Sequence, residues 1–495
     1  MKKSARRKPP DVRAEKQNAL LAKVGWGLAL LLAVFAINFG RQLSGDVYWH
    51  IKAGEWILKH RAFPFQDPFS YTASHDWILQ EWAFQVIAWL ISRISLDLLA
   101  WLSFGALAAA LAVTYATSLK QASPRAAVAI TAVAAGVCAD MVDIRPQVIG
   151  LLAFAVLVSV LNGSSRAGKG FPLWLPLLFV AWANFHSSFT AGLVLLLVEC
   201  GAVFYLALRQ PDLRGRLAQP VRNLAVTAAC ALAALINPNG WRLYTFPLRT
   251  VGHGGMTSII AEWVSPDFRS LAGASLGIFI LILIWGLARR EKQVPAASVA
   301  RIIVFLWAAL VARRLAPFFA LACAPAVAGL IAPSLEGMFK SRRVAAALVV
   351  LLLVGGAAFR ISDIRGRGAF EYISTQEAFP DRACDFILRE NPPGPMFNEL
   401  NYGSYLIWRL WPRYKVFVDN RNDIFYGGAF DEFMRAAMAG GNSAWRQVFD
   451  RHGINLVILV PNSLLADVLT ETPDWRMIYS DDKAVIFQRT SEGRA

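Results

Sequence analysis

The chain has 495 residues, of which 56% are hydrophobic and only 17% charged, and it carries a net charge of +16. Soluble domains average about 25% charged residues. This composition, with a mean hydropathy of +0.43, therefore indicates a membrane protein with several spans. The aromatic content excludes a disordered chain, and five cysteines are too few for a disulfide-linked scaffold. Basic loops at an anionic membrane surface explain the positive charge better than nucleic-acid binding does.

The N-terminus is basic up to Lys23 and leads directly into an apolar run. No small-residue cleavage site follows that run, so we predict a retained cytoplasmic tail (residues 1–20) and not a cleaved signal peptide.

Apolar runs recur along most of the chain. A transmembrane helix needs about 20 apolar residues to cross the hydrocarbon core. The sequence predicts about eleven transmembrane helices, some of them short enough that one pair is alternatively re-entrant, over the runs 21–40, 97–119, 126–139, 147–162, 171–183, 189–208, 222–236, 271–288, 299–312, 317–333 and 344–360.

Basic residues are distributed unevenly between alternate loops, and the positive-inside rule then places the N-terminus in the cytoplasm. The residues assigned to the cytoplasmic loops are Lys120, Arg125, Arg166, Lys169, Arg209, Arg214, Arg216, Arg222, Arg289, Arg290, Lys292, Arg301, Lys340, Arg342 and Arg343. An odd number of spans places the C-terminal region outside. Nearly every segment with polar chemistry then falls on the outer side, as an active site at the outer membrane surface requires.

Three parts follow from this topology: the tail 1–20, a transmembrane domain 21–360, and an extracytoplasmic α/β domain 361–495. The first outer loop, 41–96, is predicted to hold two interfacial helices whose tryptophans, Trp49 with Trp56 and Trp82 with Trp89, face lipid. In the α/β domain 361–495 we predict strands at 395–399, 415–419 and 455–460, helices at 402–410 and 444–453, and a hairpin at 477–489.

Acidic residues near the outer boundary are candidate catalytic groups. Asp46 follows the first span, although it or Ser44 would also suit a helix cap. Asp140 and Asp143 lie together before Arg145, and charged residues at a membrane boundary favour function over a solvated turn. Together with Glu262 these carboxylates offer oxygen ligands for Mg²⁺ or Mn²⁺, but separate loops leave metal binding open.

Other residues are candidates for substrate binding. Arg313 and Arg314 suit a phosphate or pyrophosphate, and the alternative is contact with lipid headgroups. His50 and His186 would bind substrate or make interfacial hydrogen bonds, and Asn237 lies in a turn that would also suit a sugar. In the C-terminal domain, six polar and aromatic residues suit carbohydrate binding: Asn398, Tyr402, Tyr405, Asp419, Arg421 and Asp423. Asp419, Arg421 and Asp423 would equally form a turn held by ion pairs.

Several segments carry a family resemblance: GDVYWHIKAGEWILKH, FPFQDPFSYT, WILQEW, INPNGWRLY and EWVSPDF. With the predicted order of parts, the chain resembles the GT-C superfamily of membrane glycosyltransferases, and in particular bacterial membrane proteins grouped beside the protein mannosyltransferases. The resemblance covers most of the chain.

The resemblance implies a sugar donor on a polyprenyl phosphate or diphosphate, and a cell-envelope glycan, lipid or protein as acceptor. Asp46 matches the family's first-loop acidic residue, a general base or acceptor-positioning group. Asp140 and Asp143 resemble the second-loop acidic motif of oligosaccharyltransferases, with a different spacing, and the tail has no WWD-type motif.

On this interpretation transfer is inverting, at the outer face of the bacterial inner membrane, and three arginines, Arg145, Arg313 and Arg314, offset charge on the departing phosphate. The alternatives are a transporter or flippase of lipid-linked saccharides and a noncatalytic envelope-assembly protein. Gathering of the polar groups at one surface, without internal repeats, favours the enzyme.

Overall fold

The molecule is built mainly from apolar helices, with a small sheet near the C-terminus. The computed structural model describes residues 24–27, 45–141, 143–209, 217–245, 262–289, 293–338, 379–438 and 443–490. The helices before the sheet are α1 (Asp46–His60), α2 (Trp82–Ser92), α3 (Asp97–Ser118), α4 (Pro124–Val137), α5 (Gln147–Arg166), α6 (Leu175–Phe185), α7 (Phe189–Leu208), α8 (Ala218–Ala234), α9 (Leu271–Ala288), α10 (Ala296–Val311) and α11 (Ala316–Met338).

Helices α3 to α11 coincide with the nine apolar runs predicted between 97 and 333. Five helical segments are long and apolar enough to cross a membrane: Asp97–Ser118, Gln147–Arg166, Phe189–Leu208, Leu271–Ala288 and Arg313–Glu336. The chain is therefore a multi-pass helical membrane protein. The tail 1–20, most of the first predicted span (21–40) and all of the last (344–360) lie outside the described residues, so the number eleven stays a prediction.

One buried ion pair joins two of the apolar helices. Glu199 of α7 pairs with Arg301 of α10, and both side chains are at most 5% exposed. A charge among apolar helices is stable only when it is paired. The prediction that Arg301 lies in a cytoplasmic loop is wrong, because the residue lies within α10 and neutralises Glu199.

Both predicted helices of the first outer loop are present, as α1 and α2, but their tryptophans do not all face lipid. Trp49 is 8% exposed and its ring centroid lies 3.7 Å from that of His50. The indole N–H of Trp82 donates to the Asn184 side chain. The prediction of a lipid-facing aromatic face is therefore wrong for Trp49, because other parts of the protein cover it, whereas Trp82 is half-buried.

The C-terminal region contains α12 (Asp381–Glu390), β1 (Met396–Asn398), α13 (Gly403–Leu410), α14 (Ala429–Ala437), α15 (Ala444–His452), β2 (Leu456–Leu459), α16 (Leu464–Thr470), β3 (Trp475–Ser480) and β4 (Val485–Arg489). The four strands form one sheet in the order β1, β2, β4, β3, in which β1 and β2 are parallel and the other pairs antiparallel. The predicted strands at 395–399 and 455–460 and the hairpin are confirmed.

The predicted strand 415–419 does not join this sheet. Val416 forms a single parallel bridge with Ser70 of the first outer loop, its N–H donates to the Phe69 carbonyl, and its own carbonyl accepts from Tyr71. The apolar alternation of this segment predicted an extended chain, but its backbone partner is the first outer loop. One buried hydrophobic cluster accordingly contains residues of both regions, among them Tyr48, Phe69, Phe397 and Phe417.

Helices α1 and α2 pack closely because α1 carries a glycine where they cross. A Cβ atom added at Gly54 would lie 2.0 Å from the backbone oxygen of Gln85 in α2. No side chain larger than hydrogen fits without moving a backbone.

We expect Gly54→Ala to lower the unfolding temperature of the purified protein, because overpacking at a backbone contact costs about 1–3 kcal/mol. The matched control is Gly105→Ala in α3, where nothing lies within 4 Å of the added Cβ. That substitution should leave stability unchanged or raise it, since alanine favours a helix by about 1 kcal/mol over glycine. Equal effects of the two substitutions would contradict the close crossing of α1 and α2.

Candidate active site

A cavity of ≈250 Å³ lies where the first outer loop, the ends of several apolar helices and the C-terminal region meet. Asp46, Trp49 and His50 line it from one face of α1, because they are three and four residues apart. Seven residues proposed from the sequence as catalytic or binding groups line this cavity: Asp46, His50, Arg145, His186, Arg314, Arg421 and Asp423.

Arg145 holds three carboxylates from three separate segments. Its Nη2 lies 2.9 Å from Asp46 Oδ2, its Nε lies 3.1 Å from Asp143 Oδ2, and its Nη1 donates to Glu262. Burial by itself would lower the pKa of Arg145, but the carboxylates of Asp46, Glu262 and Asp143 outweigh it and raise the pKa above its usual value. The guanidinium therefore stays charged. The N-cap residue of α1 is Gly45, and the Asp46 carboxylate in the first turn pairs with Arg145.

Arg314 is the second guanidinium at this site. Its Nη1 lies 3.8 Å from Glu262 Oε2 and its Cζ lies 4.5 Å from the centroid of the Trp263 ring. Its side chain is 22% exposed. Because Glu262 is shared with Arg145, Arg314 retains charge that is not fully balanced and that faces the cavity.

The carboxylates do not fit a divalent metal in this arrangement. Asp46, Asp143 and Glu262 all turn to Arg145, whose charge repels a cation, and Asp140 lines a different pocket. Within the described ranges, no group of three His, Cys, Asp or Glu side chains could hold an ion. We therefore assign no step to Mg²⁺ or Mn²⁺.

Glu81, which the sequence analysis did not single out, lies between two histidines. Its Oε2 is 3.8 Å from His50 Nε2 and its Oε1 is 3.6 Å from His186 Nε2. The Ser188 N–H donates to His186 Nδ1 at 3.1 Å, so the ring proton of a neutral His186 is on Nε2 and faces Glu81.

Burial dominates the ionisation of this group. It raises the pKa of Glu81 to about 8, with smaller contributions from the charges of Asp46 and Asp423. Burial also lowers the pKa of His186 to about 3, assisted by Arg314 and Arg145, and lowers that of His50 well below its usual value. At neutral pH both histidines are uncharged and Glu81 retains its proton in most molecules.

A third arginine, Arg421, joins the C-terminal region to the first outer loop. Its Nη1 lies 2.7 Å from Asp67 Oδ1, its Nη2 lies 2.6 Å from Asp419 Oδ2, and its Cζ lies 4.6 Å from the Trp77 ring centroid. All three charged side chains are at most 1% exposed. The ion-pair alternative for Asp419 and Arg421 is therefore confirmed, with Asp67 as an additional partner.

Asp423 lines the same cavity. Burial raises its pKa to about 7, although Arg421 opposes this shift. The cavity thus contains two carboxyl groups, Glu81 and Asp423, whose pKa values are near neutrality. Such values are a common property of functional sites.

The remaining predicted residues lie elsewhere. Asp140 and Arg313 line a separate pocket of ≈10 Å³. The Asn237 amide donates to the Ala183 carbonyl at 3.0 Å, and the Tyr402 hydroxyl donates to the Lys483 carbonyl at 2.6 Å. The structure therefore gives Asn237 and Tyr402 backbone partners.

Glu81 has one distinguishing feature in the sequence. It is the one acidic residue of the segment WILQEW, in which Gln80 precedes it and Trp82 follows it. A carboxylate in such a setting is costly to bury and favours a functional role. Asp67 has no comparable signal, because turn-forming segments normally contain such charges.

No protein-family model and no curated protein matches the chain. Among solved structures it is similar to the oligosaccharyltransferase of Archaeoglobus fulgidus tethered with an acceptor peptide containing the NVT sequon. That comparison has a TM-score of 0.58 and 14% identity, and covers 90% of this chain and 70% of the other.

A second structure, AglB from A. fulgidus with an inhibitory peptide and a dolichol-phosphate, gives a TM-score of 0.57 at 13% identity, over 97% of this chain and 75% of that one. ArnT from Cupriavidus metallidurans bound to undecaprenyl phosphate gives 0.46 at 13% identity, over 98% of this chain and 100% of that one. The likeness to the oligosaccharyltransferase structures shows the fold.

We expect Glu81→Gln to stabilise the protein relative to wild type by an amount that grows from about pH 5 to about pH 8. The pKa of Glu81 is about 8 in the folded protein against 4.5 ordinarily, so in this range the folded chain retains a proton that the unfolded chain has lost, and stability falls as pH rises. The unfolding temperatures of both proteins test this. Wild type and Glu81→Gln share the other charged and titratable groups around this position, so the comparison isolates Glu81. These groups are Asp46, His50, Arg145, His186, Arg314 and Asp423.

The control for this measurement is Glu55→Gln. Burial by itself would raise the pKa of Glu55, but hydrogen bonds from Lys59 and Lys52 hold that pKa below its usual value. Glu55 is then ionised in both the folded and the unfolded chain above about pH 5. The difference in stability between Glu55→Gln and wild type should therefore be constant from about pH 5 to about pH 8. A constant difference for Glu81→Gln as well would contradict the raised pKa.

Proposed function

We propose that the chain is a membrane glycosyltransferase that takes a sugar from a polyprenyl-phosphate- or diphosphate-linked donor and transfers it to a cell-envelope glycan, lipid or protein. The observation that carries this proposal is the cavity in a GT-C fold, which is lined by both the Asp46 carboxylate and the Arg314 guanidinium. One can take a proton from an acceptor while the other binds a phosphate.

The proposed topology places this cavity at the outer face of the bacterial inner membrane. It has eleven spans, a cytoplasmic tail of residues 1–20, a transmembrane domain of 21–360 and an extracytoplasmic domain of 361–495. The one-sided distribution of basic loop residues supports it. The first outer loop shares its buried core with the C-terminal region, so both belong on the same side of the membrane.

In the proposed reaction the acceptor oxygen attacks the anomeric carbon of a hexosyl or pentosyl group. The bond from that carbon to the phosphate oxygen breaks, the configuration inverts, and polyprenyl phosphate or diphosphate leaves. Asp46 takes the acceptor proton. Arg314 offsets the negative charge on the leaving phosphate.

Arg145 has a positioning role in this proposal. It holds the Asp46 carboxylate at 2.9 Å, while Asp143 and Glu262 hold Arg145 in turn. Its charge is largely used by these three carboxylates, so we assign phosphate binding chiefly to Arg314. A catalytic role for Asp140 and substrate-binding roles for Arg313, Asn237 and Tyr402 stay predictions.

The function is tested in a deletion strain by mass spectrometry of lipid-linked sugars and envelope glycans. A carrier-linked sugar that accumulates while one glycan residue is lost would name donor and product together. If the chain were a flippase, its deletion would instead leave the lipid-linked substrate on the inner leaflet, where an outer-surface probe cannot reach it. An unchanged set of both molecules would contradict the proposal.

We expect Asp46→Asn to lower the rate of transfer from a polyprenyl-phosphate sugar by about 10²- to 10⁴-fold, as loss of a general base does. The matched control is Asp143→Asn, which also removes one carboxylate from Arg145 but does not line the cavity. We expect it to lose less than about tenfold, since loosening of Arg145 is its only effect at the site. Equal losses of rate in the two variants would mean that transfer depends on the position of Arg145 and not on the Asp46 carboxylate itself.

We expect Arg314→Gln to weaken binding of undecaprenyl phosphate by about 10- to 100-fold, because a hydrogen bond to a charged group contributes about 1.5–3 kcal/mol. Arg313→Gln is the control, since Arg313 lines the separate small pocket. Binding to the full-length protein in nanodiscs measures both. Equal affinities of Arg314→Gln and wild type would remove Arg314 from phosphate binding.

A further inference from the structure

Four buried polar atoms in the cavity wall have no hydrogen-bond partner within the part of the chain that the structure describes. They are Trp49 Nε1, His50 Nδ1, Gln80 Oε1 and Gln85 Oε1. Their residues are 8%, 2%, 9% and 1% exposed. Buried polar atoms in folded proteins are nearly always paired, so four in one cavity wall point to a polar ligand.

These four residues come from two neighbouring elements. Trp49 and His50 are adjacent on α1, and Gln85 is on α2, which crosses α1 closely at Gly54. Gln80 lies just before α2, next to Glu81. We call these four residues the neutral wall.

The chemistry of the neutral wall is mixed and uncharged. The Trp49 indole N–H only donates, and the two glutamine oxygens only accept. His50 carries no charge at neutral pH, because burial, and then Arg145, His186 and Arg421, lower its pKa. Its Nδ1 either donates or accepts, depending on the tautomer.

This mixture matches hydroxyl groups. A hydroxyl donates one hydrogen bond and accepts two, so several hydroxyls on one ring can satisfy a donor and two acceptors together. A phosphate cannot donate to the glutamine oxygens when ionised, and a polyprenyl chain would leave all four atoms unpaired.

We propose that Trp49, His50, Gln80 and Gln85 form a subsite for a polyhydroxylated ring. This rests on the proposed function, and it makes the sugar ring the group held beside Asp46, with the lipid phosphate at Arg314. The ring belongs either to the donor sugar or to a glycan acceptor, and the two arms of the test distinguish these sources.

The test compares binding of three probes to the full-length protein in nanodiscs: undecaprenyl phosphate, a panel of undecaprenyl-phosphate hexoses and pentoses, and the corresponding soluble methyl glycosides. Trp49→Phe removes the indole N–H and keeps an aromatic ring. Gln85→Met removes the amide oxygen and keeps the size of the side chain. Each should weaken binding of a sugar-bearing probe about 5- to 10-fold, as loss of one neutral hydrogen bond does. Affinity for undecaprenyl phosphate should change less than about twofold.

The arm that responds identifies the ring: loss for the lipid-linked sugars assigns the donor, and loss for the methyl glycosides assigns an acceptor. Tyr48→Phe is the matched control. Its hydroxyl is also buried without a partner in the described ranges, but its ring packs against Phe379 and Tyr405 and does not line the cavity. It should change neither affinity, and unfolding temperatures verify that all variants fold.

Two failures are distinguishable. If wild type prefers a sugar-bearing probe and neither Trp49→Phe nor Gln85→Met reduces that preference, the subsite is overturned and the proposed function stands. If wild type binds neither undecaprenyl phosphate nor any sugar-bearing probe, the proposed function fails and the subsite with it.

Discussion

The arrangement of the site depends on one guanidinium, that of Arg145. Its three carboxylate partners belong to the start of α1, the loop before α5 and the segment before α9. None of these segments has a backbone reason to approach the others, and each carboxylate would be costly to bury alone. The arginine offsets that cost for all three at once. The Asp46 carboxylate therefore reaches the cavity in one defined orientation.

A second constraint of the same kind acts from the other side of the cavity. Arg421 binds Asp67 of the first outer loop and Asp419 of the C-terminal region, and it stacks on Trp77. Breaking a buried pair of this type leaves an uncompensated charge and costs about 3–5 kcal/mol. The first outer loop and the C-terminal region consequently form one body with a shared core, and the cavity lies between that body and the ends of the apolar helices.

Within this frame the cavity combines charged and uncharged chemistry. Asp46 and Arg314 supply a carboxylate and a cation, whereas the neutral wall supplies unpaired donors and acceptors. Glu81 lies next to that wall between two neutral histidines and retains a proton because burial raises its pKa to about 8. A sugar joined to a phosphate presents the matching pair of chemistries, many hydroxyls and one localised negative charge.

The sequence alone determined the membrane character, nine helices of the described ranges and most of the small sheet. These depend on local conditions, because hydrocarbon requires each apolar segment to satisfy its own backbone as a helix, and alternation defines a strand. It also singled out Asp46, His50, Arg145, His186 and Arg314 as candidate site residues, and these five line one cavity. Only the tertiary structure decided their partners. Segment 415–419 pairs with the first outer loop, Arg301 is buried against Glu199, and Glu81 lies between two histidines. Such pairings join residues far apart in the chain, and no local pattern specifies them.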